Sequence, residues 1–405
     1  MCAEELTSDQ EKQIRHVQDD KGVKVGSLQE LLDIVSGRRF EMVSPASDAG
    51  LAERLPFPFL GLVGQQEMKL ALLLALINPA LGGVLLIGPR GTGKSTAVRS
   101  LVHLLPEVPR SLCFYGCMPE DIETGGLDAV CPDCAQKYGQ GEPLAALDTV
   151  RLVELPLNAT LVDVIGGIAD QESGHQRLRL HRGLLAQADK NLLYVDEVNL
   201  LADNIVDAIL DAAAQGCYTV RRGPISATYR SRFVFIGSMN PEEGYLRPQI
   251  LERFGLRVIV CGLDDSEERL EAYRRVHAYL LNPRGTIAQF EEQTALARKE
   301  IQLARDLLPQ VKLPEDIARR GLTLIGELGI DSLRAEITLF EAARAYAAAD
   351  ARQTVERDDI HKVFPMAMRL RHSSFMQEFI TNQQIEEEKI KQLLHHHENP
   401  AKSGG

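Results

Sequence analysis

Two patterns of apolar residues divide the chain near residue 263. Before that point, short apolar runs end in polar or glycine-rich residues, which is typical of buried strands in a parallel sheet. We predict such strands at 82–87, 192–197 and 232–240. Beyond it, apolar residues recur at helical spacing over 266–281, 287–308, 314–328, 332–350 and 355–368. The pattern therefore predicts a three-layer α/β core followed by an all-helical domain.

Shorter elements and the two ends of the chain complete this prediction. A helix is expected to begin near Gln66, another over 95–105, and a β-hairpin at 218–226. The leader is polar apart from an amphipathic segment at 28–35, and the residues after Arg371 predict a charged helix with a polar end. We interpret His395, His396 and His397 as part of that solvated tail rather than as a metal site.

The length of 405 residues indicates two or three domains. We divide the chain into a polar leader at 1–55, an α/β core at 56–263, a linker helix with a helical lid at 264–372, and a tail at 373–405. The core contains an insert at 111–145 that carries four cysteines.

Charge and composition limit the classes of partner and compartment. The 57 acidic and 45 basic residues give a net charge of −12 without a long basic run, which argues against nucleic acid as the main partner. The 7 cysteines form an odd, clustered set, and no signal-peptide pattern opens the chain. We therefore expect the cytoplasm, or the plastid stroma if the source is a plant or alga.

One charge-free stretch, 70–89, has about the length that a membrane span requires. Asn78-Pro79 and Gly82-Gly83 interrupt it, and a helix, a turn and a strand account for the same residues. We predict no membrane span.

The strand at 82–87 leads into a complete phosphate-binding motif, G-x-x-x-x-G-K-[ST]. Its residues, with the threonine that follows, are Gly88, Pro89, Arg90, Gly91, Thr92, Gly93, Lys94, Ser95 and Thr96. Backbone amides of such a loop cradle phosphates at the positive end of the next helix. Lys94 can reach the β- and γ-phosphate oxygens, and the Ser95 hydroxyl can bind Mg²⁺. The motif therefore predicts an ATP site.

The strand at 192–197 ends in two carboxylates, Asp196 and Glu197, which is the pattern of a Walker B element. Asp196 would hold Mg²⁺ and Glu197 would polarise the attacking water, because phosphoryl transfer needs charge neutralisation and an oriented nucleophile. Two acids at a strand end also occur simply as the start of a helix. Their position downstream of a phosphate loop favours hydrolysis.

Together these features resemble AAA+ ATPases. The resemblance implies that Val63 and Gly64, which precede the first strand, contact the adenine. It also implies that Asn240 is the sensor 1 amide, which positions water or detects the γ-phosphate, and that Arg334 is the sensor 2 arginine, which clamps the nucleotide from the lid. A cation near a helix N-terminus is electrostatically unfavourable. A nearby phosphate therefore accounts for an arginine at position 334 better than a purely structural role does.

Longer stretches between about residues 56 and 370 resemble subunit I of magnesium chelatase. They are Phe57-Pro58-Phe59, Val63-Gly64-Gln65, Tyr194-Val195-Asp196-Glu197-Val198-Asn199-Leu200-Leu201, Met239-Asn240-Pro241-Glu242-Glu243-Gly244, Leu246-Arg247-Pro248-Gln249 and Glu252-Arg253-Phe254-Gly255-Leu256. MoxR-type relatives lack the Glu-Glu-Gly and Leu-Arg-Pro-Gln motifs. One departure is Arg182, which stands before Gly-Leu-Leu where relatives carry proline.

This resemblance implies that the chain is one subunit of a larger enzyme complex. Arg253 would be an arginine finger that reaches the γ-phosphate of a neighbouring subunit, and Arg247 a second interface arginine; without the family context, a surface ion pair is the expected role of either. The implied assembly is a homo-oligomeric ring, expected to be a hexamer, with a second AAA+ subunit that has an integrin-type domain and a large porphyrin-binding subunit. The implied activity is ATP-dependent insertion of Mg²⁺ into protoporphyrin IX for chlorophyll synthesis.

Two other functions share the same nucleotide residues. One is the ATPase subunit of a cobaltochelatase, and the other is a MoxR-like chaperone that remodels a metal-binding protein.

The insert at 111–145 holds two cysteine pairs, Cys113 with Cys117 and Cys131 with Cys134. Four thiolates in two close pairs can bind structural Zn²⁺ tetrahedrally. The C-x-x-C half is a strong signal and the C-x₃-C half a looser one, so unliganded or redox-responsive thiols remain the alternative. The remaining cysteines lack such spacing and are interpreted as ordinary residues: Cys2, Cys217 and Cys261.

Overall fold

The computed structural model describes residues 55–113, 116–169, 179–222 and 225–371. The predicted leader, with its segment at 28–35, and the predicted tail, with its three histidines, lie outside these residues. All described residues belong to the compact unit that begins at Leu55. Across the four described ranges, no helix combines the length and apolar character needed to cross a membrane.

The described strands form one parallel sheet and three antiparallel ribbons. In chain order they are β1 (Val84–Ile87), β2 (Val108–Ser111), β3 (Ala145–Asp148), β4 (Leu152–Leu155), β5 (Gly166–Ala169), β6 (Arg179–Arg182), β7 (Leu192–Val195), β8 (Cys217–Arg222), β9 (Ile225–Arg230), β10 (Val234–Met239) and β11 (Leu256–Ile259). The parallel sheet has five strands in the order β11-β1-β10-β7-β4. The ribbons pair β2 with β3, β5 with β6 and β8 with β9.

The described helices surround this sheet and continue beyond it. They are α1 (Gln66–Ile77), α2 (Lys94–Ser100), α3 (Pro119–Gly125), α4 (Pro132–Gly139), α5 (Leu161–Ile165), α6 (Leu184–Gln187), α7 (Asp203–Gln215), α8 (Pro248–Arg253), α9 (Ser266–Leu281), α10 (Pro283–Gln289), α11 (Glu291–Leu307), α12 (Glu315–Glu327), α13 (Leu333–Ala349) and α14 (Arg357–Met368).

Two hydrophobic clusters, one on each face of the sheet, explain why its strands are continuous apolar runs. Every residue of β1, β7 and β10 is buried. Neighbouring residues contribute to opposite clusters, Leu86 to one and Leu85 to the other, because successive side chains of a strand alternate. The Leu86 cluster includes residues of α1, α2 and the helices from α11 onward, and the Leu85 cluster includes residues of α5 to α8. The predicted three-layer α/β core with a helical C-terminal region is confirmed.

A polar network around two buried arginines ties the C-terminal helices to the edge of the sheet. Glu252 accepts a hydrogen bond from Arg371 at 2.7 Å and from the Ser332 hydroxyl at 2.5 Å. Arg257 on β11 is fully buried, and one of its guanidinium nitrogens lies 3.6 Å from the same carboxylate. Glu252 therefore joins α8, β11 and the N-terminus of α13.

Element boundaries differ from the sequence prediction in several places. The helix predicted at 95–105 ends at Ser100 and continues as a 3₁₀ turn, Leu101–Leu104. The helix predicted at 287–308 is two helices, α10 and α11, which meet at Phe290. Strand β4 was not predicted because it has only four residues and includes the charged Glu154. The division into core and lid at residues 263 and 264 stays a prediction.

Candidate active site

The carboxyl ends of three neighbouring strands meet at one edge of the sheet. Gly88 follows β1, Asp196 follows β7 and Asn240 follows β10, and parallel strands end on the same side. Asp196 and Asn240, with the phosphate loop that begins at Gly88, border a cavity of about 310 Å³. Its lining residues are Arg90, Gly91, Thr92, Gly93, Lys94, Ser95, Thr96, Asp196, Glu197, Ser238 and Asn240. The structure thus brings most of the predicted ATP-site residues together.

Glycines give the phosphate loop its path. Gly91 and Gly93 have φ angles of 80° and 85°, in the left-handed region where side chains are disfavoured. Gly88 has a different requirement, because a Cβ there would lie 2.0 Å from the carbonyl oxygen of Val260. The loop therefore wraps tightly between β1 and α2.

Lys94 directs its ammonium into the loop. Its Nζ donates to the carbonyl oxygens of Gly88 at 2.8 Å and Pro89 at 2.7 Å. Burial lowers the pKa of Lys94, and the nearby carboxylates of Asp196, Glu197 and Glu243 act in the opposite direction. The lysine therefore places a positive charge inside the loop, near these three carboxylates.

Asp196 and Ser95 form an oxygen pair beside the loop. The Ser95 hydroxyl donates to Asp196 Oδ2 at 3.1 Å, and the Tyr194 hydroxyl donates to Oδ1 at 2.8 Å. Ser238 donates a third hydrogen bond to the same carboxylate. Burial raises the pKa of Asp196, but these hydrogen bonds outweigh it and the net shift is downward. An ionised carboxylate beside a hydroxyl is a donor set that suits Mg²⁺.

Glu197 and Asn240 complete the polar edge. Glu197 has a φ of 55°, and its backbone N–H donates to the Ser238 hydroxyl at 3.0 Å. Asn240 is buried, and its Oδ1 accepts the backbone N–H of Glu242 at 3.3 Å. Both side chains line the cavity. The bond to Ser238 holds the backbone of Glu197, and the bond from Glu242 holds the side-chain amide of Asn240.

A second, more apolar cavity of about 570 Å³ adjoins the first. The two share Gly91, Thr92, Gly93 and Thr96, and the second is also lined by Val63, Leu263 and Tyr279. Gly64, the other predicted adenine contact, does not line this cavity, but it packs against the lining residue Leu263, since its φ is 60° and a Cβ would lie 2.4 Å from Leu263 Cδ2. A flat base can occupy the apolar cavity while phosphates extend over the loop.

Three predicted arginines lie outside both cavities. Arg253 pairs with Asp211 at 2.9 Å and Asp207 at 3.1 Å on α7, and Arg247 pairs with Asp203 at 2.7 Å. Arg334 is exposed in the first turn of α13. The single chain therefore does not bring these residues to its own nucleotide site.

The four cysteines of the insert converge. Their sulfurs lie within 4.8 Å of one another, with Cys113 at 3.5 Å from Cys131 and 3.8 Å from Cys117. A tetrahedral Zn²⁺ with bonds of about 2.3 Å requires sulfur pairs about 3.8 Å apart. Cys117 and Cys134 are buried, and burial raises the pKa of both thiols. The arrangement fits a closed four-cysteine site.

Sequence reasoning missed three side chains of the site. Tyr194 could have been found, because residues two apart on a strand point to the same face and Tyr194 precedes Asp196 by two. Ser238 required the register between β7 and β10, in which Gly237 pairs with Val195. No local sequence pattern indicated a role for Glu243, apart from the surrounding stretch that resembles magnesium chelatase.

The fold and this crevice define the chain as an AAA ATPase. A family model described as an AAA domain matches residues 81–237, and one described as an AAA lid domain matches residues 323–392.

Comparison with known proteins shows which AAA ATPases this chain is similar to. The chain is 41% identical over 342 residues to the magnesium-chelatase subunit ChlI homolog of Methanocaldococcus jannaschii. The matched region covers 84% of this chain and 90% of that protein. It is 42% identical over 317 residues to the magnesium-chelatase 38 kDa subunit of Acidiphilium rubrum, covering 78% and 90% respectively. A cryo-EM-based structure of the complex between magnesium-chelatase subunits BchI and BchD contains a chain that is 38% identical, with 80% and 99% covered and a TM-score of 0.45.

The chain belongs to the family of magnesium-chelatase subunit I proteins. The resemblance drawn from its motifs is confirmed, and these relatives favour neither the cobaltochelatase nor the MoxR-like alternative.

Proposed function

We propose that this chain is the ATP-hydrolysing motor subunit of a magnesium chelatase, which inserts Mg²⁺ into protoporphyrin IX in chlorophyll or bacteriochlorophyll synthesis. The observation that carries the proposal is the contact between Ser95 and Asp196 beside the phosphate loop, in a chain of the chelatase family. A hydroxyl and a carboxylate in this position are the protein ligands that an ATP-bound Mg²⁺ uses.

Each residue of the crevice has a separate role in this proposal. The loop amides and Lys94 bind the phosphates, while Ser95 and Asp196 hold the Mg²⁺ that neutralises phosphate charge. Glu197 polarises the attacking water, and Asn240 positions that water or detects the γ-phosphate. The short hydrogen-bond chain around Asp196 supports this division, because it keeps the carboxylate ionised.

Arg253 and Arg247 act in trans in the proposed ring. Both lie on or next to α8, away from the cavities of their own chain, and are held there by aspartates of α7. Assembly would let Arg253 exchange those carboxylates for the γ-phosphate of the next subunit, where it stabilises transition-state charge. A closed ring of identical subunits, with six expected, supplies such an interface at every site. Arg334 is also exposed and outside the cavities of its own chain, so its proposed role as the nucleotide clamp of the lid depends on assembly.

Further partners follow from the family. We propose a second AAA+ subunit with an integrin-type domain, and a large subunit that binds the porphyrin, in the cytoplasm or the plastid stroma.

The cysteine insert is proposed to hold structural Zn²⁺. The separations of Cys113 Sγ from Cys117 Sγ and Cys131 Sγ, 3.8 and 3.5 Å, are close to those of a tetrahedral site, and two of the four cysteines are buried, which supports a closed site without a catalytic role.

The test is a coupled assay of metal insertion. The purified chain is combined with the two candidate partner subunits, protoporphyrin IX, ATP and Mg²⁺, and the fluorescence of Mg-porphyrin is followed. The proposal predicts product that requires this chain and disappears with Glu197→Gln. ATP hydrolysis without Mg-porphyrin would refute the chelatase role and leave the ATPase assignment in place.

A further inference from the structure

One guanidinium bridges two carboxylates at the rim of the phosphate loop. Arg90 donates from Nε to Glu197 Oε1 at 3.1 Å, and its Nη2 lies 3.0 Å from the same oxygen. The same Nη2 also contacts Oε1 of Glu243. Arg90 is 70% exposed, whereas Glu197 and Glu243 are 21% and 22% exposed. The arginine therefore caps two carboxylates that are mostly covered by protein.

The contacts with Arg90 leave one oxygen of Glu197 available. Both involve Oε1, so Oε2 is left to interact with water. The backbone of Glu197 is fixed by its hydrogen bond to Ser238, but the side chain has several rotatable bonds beyond that point. Arg90 is the described residue that restrains those bonds through hydrogen bonds.

Glu243 belongs to a rigid turn. It is the last residue of a 3₁₀ turn that starts directly after Asn240, and its N–H donates to the Asn240 carbonyl at 3.1 Å. The Asn199 side chain donates to the carbonyl oxygens of Asn240 and Gly244, which holds both ends of the turn. Oε2 of Glu243 is buried and has no hydrogen-bond partner among the described residues. This carboxylate is therefore a fixed anchor for Arg90.

We propose that Arg90 and Glu243 form a positioning pair that holds Glu197 in the orientation required to polarise water. Glu243 fixes the position of the Arg90 guanidinium, and the guanidinium orients the carboxylate of Glu197. This inference rests on the role of Glu197 in the proposed function. It assigns to Glu243, and to the third residue of the phosphate loop, a contribution to turnover rather than to nucleotide affinity.

A positioning role and a phosphate contact have different kinetic effects. A residue that binds phosphate equally well in the ground state and in the transition state changes KM and leaves kcat nearly unchanged. A residue that orients the catalytic carboxylate changes kcat, and displacing a catalytic group by about 1 Å can lower the rate on the order of 100-fold.

The experiment uses the full chain in its active assembly and measures ATP hydrolysis together with binding of a fluorescent ATP analogue. Arg90→Ala should lower kcat about tenfold or more while KM and analogue affinity change less than about threefold. Arg90→Lys should be intermediate, because an ammonium lacks the fork that reaches both carboxylates. Glu243→Gln should lower kcat several-fold. Glu242→Gln is the matched control, since Glu242 is exposed in the same turn, and it should match the wild type.

Combining variants tests whether Arg90 acts through Glu197. In single-turnover measurements, Arg90→Ala should cause no further loss when added to Glu197→Gln. A further loss, a change confined to KM, or equal behaviour of Glu243→Gln and Glu242→Gln would overturn the positioning pair. A Glu197→Gln protein with wild-type turnover would refute the proposed role of Glu197 and the pair with it. Loss of turnover in Glu197→Gln but not in Arg90→Ala would refute the pair alone.

Discussion

Arg371 and Glu252 are 119 residues apart in sequence and form an ion pair of 2.7 Å beneath the C-terminal helices. The side chain of Arg371 is fully buried, and it also donates to the carbonyl oxygens of Phe254 and Gly255 at 3.2 Å. The pair therefore links the segment that follows α14 to the edge of the sheet.

Glu252→Ala should lower the free energy of unfolding by about 2 kcal/mol, because it leaves the guanidinium groups of Arg371 and Arg257 without their carboxylate. The partial exposure of Glu252 keeps the loss below that of a fully buried pair. Glu315→Ala is the control, since Glu315 and Arg319 form an exposed pair worth less than about 1 kcal/mol. Denaturant unfolding of both variants measures the difference, and equal losses would contradict the assignment.

Lys94→Ala should weaken binding of a fluorescent ATP analogue at least tenfold and abolish turnover. The ammonium of Lys94 lies inside the loop and donates to the carbonyl oxygens of Gly88 and Pro89, so its removal leaves the loop without that positive charge. Lys299→Ala, at an exposed position of α11, is the control and should bind as the wild type does. Retention of wild-type affinity by Lys94→Ala would contradict a phosphate role.

Arg253→Ala should assemble but hydrolyse ATP at a few per cent of the wild-type rate or less, as loss of a trans arginine predicts. Mixing this variant with Lys94→Ala subunits gives a direct test. If Arg253 acts on the neighbouring site, mixed rings contain interfaces with both intact residues and recover part of the activity. No recovery in rings shown to be mixed would indicate that Arg253 acts within its own chain.

The purified chain should contain about one zinc per subunit by elemental analysis, and Cys131→Ser should lose it. Cys261→Ser is the matched control, because Cys261 is exposed and lies outside the cluster. Chelator treatment should lower the melting temperature of the wild type and leave Cys131→Ser unchanged. Zinc content below about one tenth per subunit, in protein purified without chelator, would favour the free-thiol alternative.

His103 should make stability fall on mild acidification. Burial lowers the pKa of His103, and the guanidinium of Arg298 nearby acts in the same direction. The unfolded chain therefore binds more protons than the folded chain just below about pH 6.5, and folding stability decreases there as the pH falls. His103→Gln should show a smaller loss between pH 7.5 and 5.5, whereas His277→Gln, at an exposed position, should behave as the wild type does.

The nucleotide site was predictable where chemistry is local in sequence. The phosphate loop and the Asp196-Glu197 pair each follow a buried strand, so their motifs and the parallel sheet were sufficient to bring them together. The four cysteines were likewise signalled by their spacing. The zinc assignment itself stays a prediction, as do the roles of Arg247, Arg253 and Arg334.

Contacts that depend on register or on distant turns were not predictable. Ser238 reaches Asp196 only because β7 and β10 pair as they do, and Glu243 reaches Arg90 only because the turn after Asn240 bends back to the loop. The network around Glu252 joins residues more than 100 positions apart, which no local pattern encodes.

The backbone of Glu197 has a consequence for engineering this protein. A left-handed conformation at a residue that carries a side chain costs about 1 kcal/mol or more relative to glycine. Libraries selected for heat resistance alone would therefore tend to replace Glu197 with glycine or asparagine and lose hydrolysis. A thermostable motor should instead be sought by fixing this position and varying the helices that lie far from it.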